Sequence, residues 1–396
     1  MRSLVAARRA VVVLAVALAA SACTADFAVR VGSEPGSGDV EIDGADAEAR
    51  AGRSVATADS SPSPPSTTTS TTSTTTTAPP PPLVLGFAGD VHMIGSMVER
   101  EPLAGVAELL QVPDLMMVNL ETVVGEAAEV GPPPIPKPFL FRSPPEALDQ
   151  LVAAGVDVVG LANNHTWDHG PAGARVTRSL VDASSLLGTG AGPDPATAYA
   201  PVFAEVDGAT VGIVSLTRVP CDWSQEAAAV RPEIAWACDR HALGALAAIT
   251  EAEAAADHTV VLLHGGTEVT DCPDPRLREV VGTWIGMGVD VVAISHPHVL
   301  QGVEVIDGAA VLWSTGNFAF RNGGGRTGRS ALFLVTLGGG DPVVQVVPTV
   351  LPGGIAAPAD PETAARVRQE VGDRSVRGAI NGFGVLVDDP APSRCD

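Results

Sequence analysis

From residue 83 onward the chain consists of short apolar runs that stop abruptly at polar clusters, and this limits the folds open to it. Runs rich in aliphatic and β-branched residues occur at 83–88, 115–118, 156–162, 210–216, 259–263, 289–294 and 309–313. Helix-like segments separate several of them, at 143–154, 172–187, 241–256 and 275–288. Apolar strands alternating with amphipathic helices predict an α/β layered domain with both sheet faces covered. In such folds ligand chemistry collects at the carboxyl ends of strands. The 396 residues suffice for one large or two ordinary domains. Hydrophobic residues at 45% against 18% charged exclude a wholly disordered chain or a coiled coil. The formal net charge of -22 excludes non-specific nucleic-acid binding, because a second polyanion is repelled.

Five of the runs end in chemistry-bearing words: Gly89-Asp90-Val91-His92, Asn119-Leu120-Glu121, Asn163-Asn164-His165, His264-Gly265-Gly266 and Ser295-His296-Pro297-His298. Singly, each has a commonplace reading. Gly-Asp after a strand makes a turn, Asn-Leu-Glu starts a helix, Asn-Asn-His caps a loop, and a lone His satisfies a core hydrogen bond. Together they concentrate five of the eight histidines directly behind apolar runs. His296 and His298 are spaced so that both side chains leave one loop on the same side. The set offers two carboxylates, an amide oxygen and several imidazoles, a donor mixture suited to Mn, Fe or Zn. A carboxylate between two such ions can bridge them about 3.5–4 Å apart, and the pair lowers the pKa of shared water towards ~7 and clamps phosphate oxygens. That chemistry points to ester hydrolysis without a covalent nucleophile.

The order Asp-x-His, acidic residue, Asn-His, His, His-x-His resembles the calcineurin-like metallophosphatase superfamily. More closely, Gly89-Asp90, Asn119-Leu120-Glu121, Phe141-Arg142, the 161–165 word Leu-Ala-Asn-Asn-His, His264-Gly265, the 296–301 word His-Pro-His-Val-Leu-Gln and Gly316-Asn317-Phe318 resemble the bacterial poly-γ-glutamate capsule-synthesis, CapA-like, family. The resemblance runs from about residue 83 to about 320. It implies an α/β/β/α sandwich holding two divalent metal ions. Asp90, His92 and His298 would hold one ion, and Asn164, His264 and His296 the other. Glu121 would bridge them in place of the superfamily's usual Asp. His165 would meet the substrate or leaving group as an acid or charge stabiliser. Lys137 and Arg142, in a loop like the family's Lys…Phe-Arg segment, would receive a carboxylate or phosphate, the alternative being a surface loop anchored by its phenylalanines. Glu268 is a candidate to orient His264, the alternative being a solvated loop.

The N-terminus reads as an export signal. Arg2, Arg8 and Arg9 precede an apolar stretch at 11–20 that is shorter than the ~20 residues needed to span a bilayer. The ending Ala20-Ser21-Ala22-Cys23 resembles a lipobox, which makes Cys23 the expected lipidation site, with acyl chains contributing ~0.8 kcal/mol per buried methylene. Cleavage after Ala22 and secretion is the alternative. Residues 23–82, rich in Ser, Thr and Pro, predict a disordered linker. The expected organisation is signal 1–22, linker 23–82, domain 83–350 and C-terminal extension 351–396, the last with a charged helix from about 358 and a final strand near 383–387. Outside the cytoplasm Cys221, Cys238, Cys272 and Cys395 can form two disulfides, with Cys221–Cys238 the first expectation.

Two functions compete on this reading. One is a membrane-anchored metal-dependent hydrolase of a phosphoester in envelope-polymer metabolism. The other is a non-catalytic part of a capsule-synthesis or export complex that grips an anionic polymer.

Overall fold

The structure, a computed structural model, describes residues 82–219, 231–321 and 324–396. The export signal, Cys23, the linker up to residue 81 and Cys221 lie outside the described residues. In chain order the strands are β1 (Leu83–Val91), β2 (Leu115–Leu120), β3 (Val123–Val124), β4 (Arg142–Ser143), β5 (Val158–Gly160), β6 (Leu187–Thr189), β7 (Val202–Val206) and β8 (Ala209–Thr217). They continue with β9 (His258–His264), β10 (Val291–Ser295), β11 (Val303–Ile306), β12 (Ala309–Leu312), β13 (Asn317–Ala319), β14 (Arg329–Leu337), β15 (Val343–Val350) and β16 (Ala357–Pro358). The longer helices are α1 (Glu146–Ala154), α2 (Gly170–Ala183), α3 (Ala242–Ala255), α4 (Pro275–Ile285) and α5 (Pro361–Arg374).

The strands form two large sheets. One has the order β16-β15-β14-β1-β2-β5-β6 with β13 beside β1, and the other the order β11-β12-β10-β9-β8-β7. Within the first, β1, β2, β5 and β6 are mutually parallel, and within the second, β8, β9, β10 and β12 are. Period-two alternation explains why these runs read as unbroken apolar stretches. Leu85 and Phe87 of β1, Ile213 of β8, Leu262 of β9 and Ala293 of β10 point into one core between the sheets. Val84 and Ala88 face the opposite way, onto Leu148 and Leu151 of α1 and Val181 of α2. Val261, Leu263, Val292 and Ile294 turn outward onto Ala245 and Ile249 of α3 and Leu277, Val281 and Trp284 of α4. The result is the layered α/β/β/α arrangement that the sequence patterning and the resemblance imply.

Helix starts follow local chemistry. Asp274 and Asp360 accept hydrogen bonds from the first-turn amides of α4 and α5, and Pro275 and Pro361 open those helices where no amide donor is needed. Among the described residues no helix is long and apolar enough to cross a membrane.

α5 closes one end of the inter-sheet core with Val367 and Val371. The chain end is then tied back by a Cys272–Cys395 disulfide across 123 residues. Cys238 is disulfide-bonded as well, and its expected partner Cys221 lies outside the described residues. Closing so long a loop restricts the unfolded chain. The double substitution Cys272→Ser/Cys395→Ser should therefore lower stability by about 2–4 kcal/mol, read from denaturant midpoints under non-reducing conditions. An unchanged midpoint would show that the bridge contributes nothing.

Candidate metal centre

Parallel pairing places the ends of β1, β2 and β5 at one edge of the first sheet, and those of β9 and β10 at one edge of the second. Their polar words therefore converge. Gly89 is required on the way. A Cβ there would lie 1.8 Å from the Gly316 carbonyl oxygen, which accepts the Asp90 amide at 2.9 Å. This close approach sets Asp90, Glu121 and Asn164 from the first sheet against His264, His296 and His298 from the second.

The distances are short. Asp90 Oδ2 lies 3.1 Å from His298 Nδ1, and Glu121 Oε1 lies 3.5 Å from His264 Nε2. His264 Nε2 is 2.7 Å from Asn164 Oδ1. One donor atom each from Glu121, His296 and His298 falls within 4.8 Å of the others, a spacing that could hold a metal ion. His296 and His298 both have positive φ, 99° and 57°, a costly backbone for non-glycine residues that tends to occur at functional sites.

The donors fit a cation because several have nothing else to bind. Both carboxylate oxygens of Glu121 and both ring nitrogens of His296 are buried without a hydrogen-bond partner. Such groups cost roughly 1–3 kcal/mol each, more for a charge. The electrostatics agree. Burial, reinforced by His298, pushes the His296 imidazole down to about 3, and burial with His296 and His298 holds His264 far below its ordinary value. These rings are thus neutral, the form that ligates. Burial and the neighbouring Asp90 carboxylate push the Glu121 carboxyl upward. At His298 burial opposes the charge, but Glu121 and Asp90 outweigh it and raise the ring to about 10, so a proton occupies the centre of the cluster.

His92 stands slightly apart. Its ring stacks on Phe320 with centroids 3.9 Å apart and meets the edge of Phe141. Its Nε2 accepts the Arg321 amide at 2.8 Å, leaving Nδ1 as its buried, unpartnered nitrogen. His165 sits beside the cluster with Nε2 3.9 Å from Glu121 Oε1, and its ring stacks on Phe141. Lys137 pairs with Asp168 and donates to the Asn164 carbonyl at 2.9 Å. Arg142 donates to the Gly125 carbonyl at 2.8 Å, where β4 pairs with β3. Glu268 is exposed, and His264 Nδ1 is flanked instead by Ser295 Oγ at 3.0 Å and Asn119 Nδ2 at 3.2 Å.

Sequence reasoning missed Asp168 and gave no role to Asn119, Asn163 and Asn317, which set up these side chains. Asp168 is buried and its Oδ2 faces His165 Nδ1 at 2.7 Å while accepting the Phe141 amide at 2.7 Å. Asn163 donates to the Leu120 carbonyl at 2.9 Å and accepts the amides of His165 and Thr166, so it ties the end of β2 to the loop after β5. Asn119 donates to Asp90 at 2.8 Å, and Asn317 Oδ1 contacts His298 Nδ1 at 2.8 Å. The spacing of Asp168 three residues after His165 was the available signal for that partner. The loop joining Lys137 to Phe141 carries exposed apolar residues at its crest, with Phe139 62% accessible.

Residues 84–322 match the protein family described as bacterial capsule synthesis protein PGA_cap. The chain is 30% identical to the PGA biosynthesis protein CapA of Bacillus subtilis over 196 residues, 47% of this chain and 48% of that one. It is 30% identical to the capsule biosynthesis protein CapA of Bacillus anthracis over 218 residues, 54% of this chain and 52% of that one. It thus spans about half the length of the curated relatives it matches. Among solved structures, a novel phosphatase of Mycoplasma pneumoniae aligns with a TM-score of 0.43 at 16% identity, over 71% of this chain and 96% of that one. With a match that covers more than half of its residues, this chain belongs to the bacterial capsule synthesis family PGA_cap.

Proposed function

We propose that this protein serves capsule or envelope-polymer synthesis outside the cytoplasm as a metal-dependent phosphoesterase-like hydrolase, held at the membrane through a lipid on Cys23 and the 23–82 linker. The observation that carries the reading is the buried cluster of Asp90, Glu121, Asn164, His264, His296 and His298, several of whose donor atoms lack any other partner. Two divalent ions would suit these donor types, with Glu121 shared between them, and His92 would join only by giving up the Arg321 amide that its Nε2 now accepts. Divalent cations there would supply Lewis-acid stabilisation of phosphoryl charge. The protein's own part is to hold protons and orientation. The Asp168 carboxylate fixes the Nδ1 side of His165, so Nε2 faces the cluster. Burial keeps that ring below its ordinary pKa against the pull of Asp168. An arriving anionic group offsets the burial and favours a proton on Nε2, the form that can serve a leaving oxygen. Lys137 balances Asp168, and Phe141 stacks on His165.

Metal content of the purified protein and turnover of bis(p-nitrophenyl) phosphate with added manganese test this reading. Stoichiometric metal with metal-dependent turnover is expected, and neither being found would overturn it. A second reading, an anionic-polymer-binding subunit without turnover, draws on the commitment of His92 Nε2 to the Arg321 amide, which thins the donor set of one ion. Stoichiometric metal and capsule polymer binding without any hydrolysis would select it.

The protonation states give a pH dependence with a definite sign. In the cation-free protein His298, raised to about 10, holds a proton that an incoming cation must displace. Affinity should therefore strengthen as pH rises towards that value, by up to about tenfold per pH unit for one proton released. Calorimetry in buffers of different ionisation enthalpy reads that release directly. Affinity independent of pH would show that His298 is not displaced.

A further inference from the structure

At the C-terminal end of the domain a cavity of about 380 Å³ is walled by charge of the wrong sign for this protein. Five guanidiniums, of Arg326, Arg329, Arg366, Arg374 and Arg394, face three carboxylates, of Asp271, Glu370 and Asp373, in a chain whose net charge is -22. The carboxylates are shared. Asp271 serves both Arg326 and Arg374, the latter at 2.7 Å, and Glu370 takes a two-pronged contact from Arg329 at 2.8 and 2.9 Å. Asp373 reaches Arg394 only at 4.0 Å. Arg366 pairs with Glu362 at 3.2 Å, which leaves Arg394 as the loosely held guanidinium of the set.

Two further features mark the cavity as built. Arg374 is 6% exposed, and its Nε is buried without a partner while Nη1 donates to the Leu300 carbonyl. Burial lowers its pKa against the pull of Asp271 and Glu370, and the guanidiniums of Arg326 and Arg394 add a smaller lowering. The Cys272–Cys395 bridge places Asp271 and Arg394, each next to a bonded cysteine, on the same wall. None of the lining residues belongs to the candidate metal centre.

We infer that this cavity is a binding site for a compact oxyanion, a phosphoryl-type group, distinct from the metal centre. With Glu362 counted, five guanidiniums meet four carboxylates, so one is in excess, and planar guanidinium forks suit tetrahedral oxygens. The same chemistry arrives either as free phosphate or as a phosphoryl group on a larger molecule.

The test is calorimetric titration of the full, oxidised chain with inorganic phosphate and, separately, with glycerol 3-phosphate, both in EDTA so that no cation contributes. One saturable site that weakens with added salt is expected. Arg394→Gln, at a side chain 65% exposed, should weaken binding by about tenfold without changing thermal stability. Arg329→Gln should do the same if it folds, and Glu121→Gln should leave phosphate binding unchanged. Equal affinity for the two probes assigns the site to a carried phosphoryl group, and a preference for phosphate assigns it to the free ion. No saturable binding of either probe, or binding that survives Arg394→Gln or vanishes in Glu121→Gln, overturns the inference.

Discussion

Glu121→Gln is expected to abolish tight divalent-cation binding while leaving the cation-free fold at least as stable as before. The two halves of this result have one cause. In the absence of a cation both Glu121 oxygens are buried with no hydrogen-bond donor, beside the Asp90 carboxylate. A neutral amide of the same shape relieves that repulsion, which offsets the loss of one of the two carboxylates that hold the His298 proton. A cation, by contrast, loses the carboxylate charge that the His298 proton now balances. Metal affinity should fall at least about 100-fold, since even residues outside a ligand set are worth 10–100-fold. The measurement is the rise in melting temperature on adding manganese, large for the natural protein and absent for the variant. A variant that keeps the full rise would remove Glu121 from the centre.

Asp168→Asn should damage both stability and turnover, and more severely than its distance from the cation cluster suggests. This carboxylate has no solvent exposure of its side chain, pairs with Lys137, accepts the Phe141 amide and faces His165 Nδ1. The bonds to His165 and Lys137 hold it ionised in spite of its burial. An amide cannot balance Lys137, and it can present a donor where the imidazole also donates. A stability loss of about 3 kcal/mol is expected, near the lower end for broken buried pairs because Lys137 is partly exposed. Turnover should fall on the order of a hundredfold, as for loss of a general acid, with metal content unchanged. Equal loss of metal and turnover would instead mean that Asp168 merely supports the fold around the cluster.

The parts of the fold and site that were legible in the sequence share one property: they repeat a local pattern. β1, β2, β5, β9 and β10 are buried on both faces over most of their length, so their apolar runs are continuous, and the donor words lie where those runs stop. β14 and β15 extend the first sheet with no chemistry at their ends, and nothing in their local pattern set them apart. Asp168, Asn163 and Asn119 were hidden for another reason. Each acts by hydrogen bonds to partners far away in the chain, such as Lys137, Leu120 and Asp90, and its own neighbourhood reads as an ordinary turn or cap. Lys137 and Arg142 were legible as a charged pair, but their present partners, Asp168 and the Gly125 carbonyl, depend on how the loop lies.

The donor cluster is divided between two sheets that meet through the side chains of their shared core and through a few hydrogen bonds at its edge, such as that from the His296 amide to Asp90. A slide of one sheet past the other by a few tenths of an ångström changes the gap between Asp90 and His298 directly. Packing residues such as Ile213 or Leu262 would thereby adjust the spacing offered to an ion, and a bound ion would act in return as a rivet that resists shear between the layers.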